Sequence, residues 1–308
     1  MGRPSLIHQV EVALQTLFTP GESRYAQKTA GDAAECIPGI DTMKAYVECG
    51  CRFVKWCQQE YDGIRYLRDI RPPMVQAYVL QLCDRELSGG YLGKVVAALR
   101  KLDVALRVKG WRDPDASLWL PEGGGWHSDA HPERAYTPEQ ARQLLVALTE
   151  ARDPQVPMVA QLQIVAGLRI AEASMLRGED IDVEHGQLHL VKATKGGRAR
   201  TVTVAAKHRD FLQVLKTRAA RHWDGHVFQG RGERGRALSR RVRAAVTAAA
   251  KRVGVPDCGT HGFRKLYAQQ RYAEALDAGQ SDRAAREAVS QELGHNRVAV
   301  TYSYVPRR

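Results

Sequence analysis

Six side chains, spread over the last 140 or so positions, have types and spacings that could do chemistry together. They are Arg169 in the run AGLRIAE, Lys195 in TKGG, His261 and Arg264 in HGFR, His295 in LGH, and Tyr304 nine residues beyond that histidine. Arginine is a planar, permanently charged fork that grips paired anionic oxygens. Two of them suit an oxyanion centre that gains charge during a reaction. A phenol, with an ordinary pKa of about 10, becomes a competent nucleophile where neighbouring cations favour its phenolate. Histidines carry protons near neutral pH and bind anionic oxygens. The set fits displacement at an anionic phosphoryl centre, with guanidiniums supplying the positive charge that a metal otherwise provides. No metal and no cofactor is expected.

These residues need elements to hold them. Thr137, Pro138 and Gln140 form a helix-start signature, cap then proline then the back-reaching amide. It predicts helices over about 138–150 and 155–166, the second running apolar into Gly167. QLHLV (187–191) and ARTVTV (199–204) alternate apolar and polar residues around Thr194-Lys195-Gly196-Gly197. That pattern predicts a short antiparallel sheet with its turn near Lys195. Asp182 and His185-Gly186 punctuate the chain ahead of it. The chain beyond the sheet reads as helical, including 238–253. Tyr302 is the alternative nucleophile to Tyr304. On a helix the two point about 200° apart, so only one can face a given site.

The first third carries no such set. Apolar residues at 6, 7, 10, 14, 17 and 18 make a helical stripe over 6–18, closed by Pro20-Gly21. Residues 20–40 read as loop. Asp41 and Thr42 are candidate caps for a helix reaching about Tyr61. Pro72-Pro73 opens another, Gly89-Gly90 reads as a break, and a fourth helix covers about 92–108. The segment 110–134 holds three Pro and four Gly with no helical period, a linker signature. The expected organisation is therefore a helical bundle over 1–120, a linker at 121–135 and a second domain over 136–308.

Charge separates the same halves. The 308 residues contain 46 Lys+Arg and 34 Asp+Glu, a net charge of +12. Residues 1–134 hold 17 basic and 17 acidic side chains, so the whole excess lies in 135–308, with 29 and 17. A basic second half points to a polyanionic partner, most often nucleic acid. Arg231, Arg234, Arg236, Arg240, Arg241 and Arg243 are candidates for backbone contact to it, against the alternative of a solvated helix face. With 44% hydrophobic residues the chain is not disordered. It has no uncharged apolar run of the ~18–20 residues a membrane span needs and no apolar leader stretch, so a cytoplasmic location with no membrane partner is expected. Cys49-Gly50-Cys51 and Cys57 lack paired zinc-ligand spacing and read as reduced thiols.

Taken in order, GLRIAE, the hairpin lysine, HGFR, LGH and the tyrosine nine residues on resemble the tyrosine recombinase family, the phage-integrase type. The resemblance covers about 136–304. Over the N-terminal bundle it extends only to size, position and helical character, which are those of a core-binding domain. It implies a mainly α fold with a small antiparallel β-sheet, its two domains clamping duplex DNA. It implies site-specific strand breakage and rejoining through a 3′-phosphotyrosyl intermediate, with Arg169 and Arg264 on the phosphate, Lys195 as general acid, His261 and His295 assisting, and Tyr304 attacking. It also implies a homo-tetramer on a double-stranded recombination site of a mobile genetic element, with directionality or host DNA-bending factors as accessory partners. Two alternatives are a type IB-like topoisomerase and a catalytically silent DNA-binding relative. Many relatives carry a longer tail after the tyrosine than Val305-Pro306-Arg307-Arg308, so coupling between protomers is expected through another surface, such as the N-terminal bundle or residues 276–292, or through a partner protein. Residues 1–40 are expected to add a bundle or protomer-contacting helix.

Overall fold

The computed structural model describes residues 4–22, 31, 35–85, 87, 89–120, 134–150, 153–191, 199–228, 235–294, 301–302 and 304–305. The chain divides into two compact units, Met1–His131 and Pro132–Arg308. The linker expected at 121–135 lies, except for Arg134 and Ala135, outside the described residues.

The first unit is helical. Helix α1 (Leu6–Gln15) is capped by Ser5, whose hydroxyl accepts from the His8 amide. It ends three residues short of the expected 18. Leu17 closes a tight turn onto Leu14, and Phe18 pairs with Ile37 as an isolated bridge, so outside the helix Leu17 is buried and Phe18 partly buried. Helix α2 (Ile40–Glu60) starts from Gly39 without a side-chain cap, leaving Asp41 in its first turn rather than at the cap. Helix α3 (Pro72–Asp84) opens on its two prolines. Helix α4 (Gly89–Val108) begins at Gly89, so Gly89-Gly90 forms its first turn instead of a break. The apolar stripe beyond it makes the helix worth forming, and a first turn tolerates glycine better than an interior does. Val10, Leu14, Phe53, Val79, Leu99, Leu102 and Trp119 build the core. The six cysteines are free thiols. Burial pushes the Cys57 thiol up to about 12, which keeps it protonated.

The second unit is a helical assembly with one small sheet. Helix α5 (Pro138–Thr149) carries the predicted box: Gln140 N–H donates to the Thr137 hydroxyl, and the Thr137 N–H donates to the Gln140 side chain. Helix α6 (Gln155–Ala166) ends at Gly167 in the left-handed region, φ 59°. A six-residue helix α7 (Ile170–Met175) comes next. The sheet has three antiparallel strands in the order β1 (Ile181–Asp182), β2 (Gln187–Leu190), β3 (Arg200–Thr203), with Leu188 opposite both Ile181 and Val202. Strand β1 is an addition to the expected pair. Asp182 does punctuate the chain, but it does so from the end of a strand. Helices α8 (Arg209–Ala220), α9 (Gly235–Val253), α10 (Gly259–Asp277) and α11 (Asp282–Glu292) complete the unit. Leu188, Val202, Leu144, Val159, Leu212, Val242 and Phe263 share its core. Among the described residues no helix is long and apolar enough to cross a membrane.

Candidate active site

The turn after α6 sets the site. Gly167 closes the helix with its N–H on the Gln163 carbonyl. The chain then runs extended through Arg169 (φ −67°, ψ 149°) and re-enters helix at Ile170. Glu172, three residues into that new turn, reaches back to the Arg169 amide at 2.7 Å and to its guanidinium at 2.8 Å. Arg169 is thus fixed at a helix start with its side chain 18% exposed, while the Glu172 side chain has no exposure.

Helix α10 brings the next two residues. His261 lies in its first turn and Arg264 one turn along, beside Phe263, which packs on Tyr136 with ring centroids 4.8 Å apart. Arg264 is completely buried. Its Nη1 donates to the Gly167 carbonyl and its Nη2 to the Leu293 carbonyl at 2.6 Å. One guanidinium therefore ties the turn before Arg169 to the end of α11. Burial, and then the neighbouring Arg169 charge, pull its pKa down to about 10, which leaves it cationic at neutral pH.

Tyr304 comes to the same place from the end of the chain. Its hydroxyl shares a hydrogen bond with His261 Nε2 at 2.9 Å, and the two rings meet edge-on at 5.4 Å. The Arg264 guanidinium carbon lies 6.0 Å from the Tyr304 ring centroid, and the buried Lys265 ammonium 5.6 Å. The segment carrying Tyr304 is anchored on both neighbouring helices. Gln269 of α10 donates to the Tyr304 carbonyl at 3.1 Å, and Arg286 of α11 donates to the Val305 carbonyl at 2.8 Å. Arg286 also stacks on the ring of Tyr302 at 4.3 Å. Tyr302 is 36% exposed and Tyr304 6%. The two tyrosines are thus separated by environment: one lies over a structural arginine and the other joins the histidine and the buried guanidinium.

Four of the six expected residues, Arg169, His261, Arg264 and Tyr304, form one connected cluster. Lys195 and His295 lie outside the described residues, as do Arg231, Arg234 and the side chain of Arg236. Arg240 and Arg243 are exposed on α9, and Arg241 pairs with Asp153 at 3.1 Å. The Ser239 and Ser174 hydroxyls, 3.0 Å apart, link α9 to α7.

Sequence reasoning missed Arg200. It sits at the start of β3 and grips Glu172 with both Nη groups, at 2.6 and 2.7 Å, while its Nε donates to the Glu292 carbonyl at 3.0 Å. Nothing local marks it, because its partners lie on other elements. Burial pushes the Glu172 carboxyl up, but the Arg200 fork and the Arg169 amide and charge outweigh this and hold it below its ordinary value.

Comparison with known proteins gives three findings. Residues 134–307 match the phage integrase family. No curated protein sequence matches the chain. Solved structures with a similar fold include the Tn1549 transposon integrase in complex with transposon right end DNA, at TM-score 0.66 and 14% identity over 97% of this chain and 95% of that one. The XerH site-specific recombinase bound to a palindromic difH substrate, a post-cleavage complex, gives 0.66 and 15% over 97% and 91%. A lambda integrase dimer bound to a COC′ core site gives 0.62 and 14% over 95% and 76%.

Proposed function

The chain belongs to the phage integrase family, and from that premise we propose that it is a site-specific recombinase that cuts and rejoins duplex DNA through Tyr304. The Tyr304 oxygen forms a bond to phosphorus as the bond to the 5′-oxygen breaks, leaving a 3′-phosphotyrosyl strand end. The phenol proton passes to His261 Nε2, which in its neutral form accepts it. Lys195 gives a proton to the departing 5′-oxygen. Arg169 and Arg264 hold the non-bridging oxygens as charge builds on them, and His295 adds a further contact. The linkage energy is kept in the phosphotyrosyl ester, so the reverse attack by a 5′-hydroxyl reseals a strand without an added energy source.

One observation carries this reading: the phenol is 2.9 Å from a histidine nitrogen and its ring 6.0 Å from a buried guanidinium, in a protein whose remaining excess charge is basic. Removing a comparable preorganised donor from an enzyme costs on the order of 10²–10³ in rate. Arg264 has no exposed surface in the free chain, so phosphate contact requires the site to open. Cleavage then comes after DNA docking, as a separate step. Exchange between two duplexes needs four such sites, so the acting form is a homo-tetramer on a recombination site carried by a mobile element, working in the cytoplasm.

The test starts from nicked, biotin-tagged duplexes with a randomised core, from which covalent capture in detergent selects cleaved sequences. Captured strands should converge on one site, and two copies of that site should exchange strands. Relaxation of supercoiled plasmid with no sequence preference would favour a topoisomerase. Tight DNA binding with no covalent capture would favour a silent relative.

A further inference from the structure

We propose that Arg200 is a positioning residue that takes up half of the acceptor capacity of Glu172 and so limits the hold of that carboxylate on the guanidiniums of Arg169 and Arg264, the groups that would meet a scissile phosphate. The inference rests on the reading of the chain as a phosphotyrosyl-forming enzyme.

A carboxylate offers about four lone-pair positions. In Glu172 four donors approach them: Arg200 Nη1 at 2.6 Å and Arg169 Nη1 at 2.8 Å on Oε1, and Arg200 Nη2 at 2.7 Å and the Arg169 amide at 2.7 Å on Oε2. The carboxylate is therefore saturated. Arg264 Nη1 stands 3.9 Å from Oε2, too far for a hydrogen bond. Half of the acceptor capacity is taken by Arg200 alone. Without it, a buried anion is left with two vacant positions, and the nearest cations are Arg169 and Arg264. Burial strengthens that attraction, because little water screens it. Arg169, already bonded to Glu172, would be held there more tightly, and Arg264 would be drawn toward it, away from phosphate.

The charge arithmetic agrees. Three guanidiniums against one carboxylate leave two positive charges, and removing Arg200 leaves one. The transition state of phosphodiester cleavage gains negative charge on the non-bridging oxygens, so the loss falls on the chemical step rather than on DNA docking. Position supports the same role. Arg200 begins β3, holds the Glu292 carbonyl at the end of α11, and lies so close to Gly294 that a Cβ there would meet its Cδ at 3.0 Å. Leu293, between those two, supplies one of the carbonyls that fix Arg264.

The experiment measures single-turnover covalent adduct formation on the selected nicked duplex for the parent, Arg200→Met, Glu172→Gln and the double variant, with DNA affinity measured alongside. Arg200→Met should cleave on the order of 10²-fold more slowly while binding within about threefold of the parent. The double variant removes the competing anion together with its partner. It should cleave within about tenfold of Glu172→Gln, and at least about tenfold faster than Arg200→Met. If Arg200→Met does not fold, the comparison of the double variant with Glu172→Gln decides alone. A double variant more than about tenfold slower than Glu172→Gln overturns the inference, as does Arg200→Met cleaving at the parental rate. A parent that forms no adduct overturns the functional reading instead.

Discussion

Replacing Gly167 by alanine tests how strictly the turn before Arg169 is built. Gly167 has φ 59°, a region that costs an L-residue about 1–2 kcal/mol. An added Cβ would also lie 2.3 Å from Cδ1 and 2.7 Å from Cε1 of Tyr267. That ring cannot retreat cheaply. It is 4% exposed, and its hydroxyl donates to Glu292 at 2.9 Å. Forcing atoms into packed surroundings costs about 1–3 kcal/mol. The expected total is about 2–5 kcal/mol, less about 0.4–1 kcal/mol because alanine also restricts the unfolded chain. Gly259→Ala is the internal control: its φ is 57°, with nothing within 4 Å of the added Cβ. The backbone and unfolded-state contributions are then shared, and the difference between the variants isolates the Tyr267 contact at about 1–3 kcal/mol. Equilibrium urea unfolding of the full chain reads this difference directly. The Gly167 carbonyl also accepts from Arg264, so adduct formation should fall further than the folded fraction does. A Gly167→Ala variant as mild as Gly259→Ala would refute the reasoning.

Three further outcomes are expected. Tyr302→Phe keeps the ring over Arg286 and should form adducts at the parental rate, whereas Tyr302→Ala loses a cation–π contact worth about 0.5–1 kcal/mol and should be about two- to fivefold slower; equal rates for both would dissociate the stack from nucleophile placement. The Glu172 carboxyl is held below its ordinary value of 4.5, so its stabilisation is complete above about pH 4.5 and lost as pH falls through the lower folded-state value. The gap in melting temperature between the parent and Glu172→Gln should therefore be constant near neutrality and shrink in acid; a gap that widens in acid contradicts the ion-pair account. DNA affinity should fall linearly with salt on logarithmic axes with a steep slope from several phosphate contacts, and a flat profile would exclude a basic docking surface.

What the sequence disclosed was what is encoded locally or by residue type. The Thr137–Gln140 box lies within one turn of chain, and both of its hydrogen bonds are present. The alternation of 187–191 and 199–204 placed β2 and β3 because strand faces repeat every two residues. Strand β1 escaped notice because two residues carry no period, and its identity depends on pairing with Leu188 and Gln187. Gly89-Gly90 misled because a glycine pair ends a helix or begins one, and only the packing of the residues beyond it decides. Arg169, His261, Arg264 and Tyr304 stand out in the sequence by type and spacing, and the fold brings them into one cluster. Arg200 and Arg286 do not stand out, since each looks like one more surface cation until the fold delivers Glu172 to the first and Val305 and Tyr302 to the second.

The central claim is that the Tyr304 phenol meets a phosphate held by Arg169 and Arg264. Protease digestion of the trapped protein–DNA adduct, with mass spectrometry of the peptide bearing the nucleotide, tests it most directly. The account predicts one modified residue, Tyr304, attached to a 3′-phosphate, and loss of that peptide in Tyr304→Phe with DNA binding retained. Attachment at Tyr302 or to a 5′-phosphate, or an undiminished adduct in Tyr304→Phe, would contradict it.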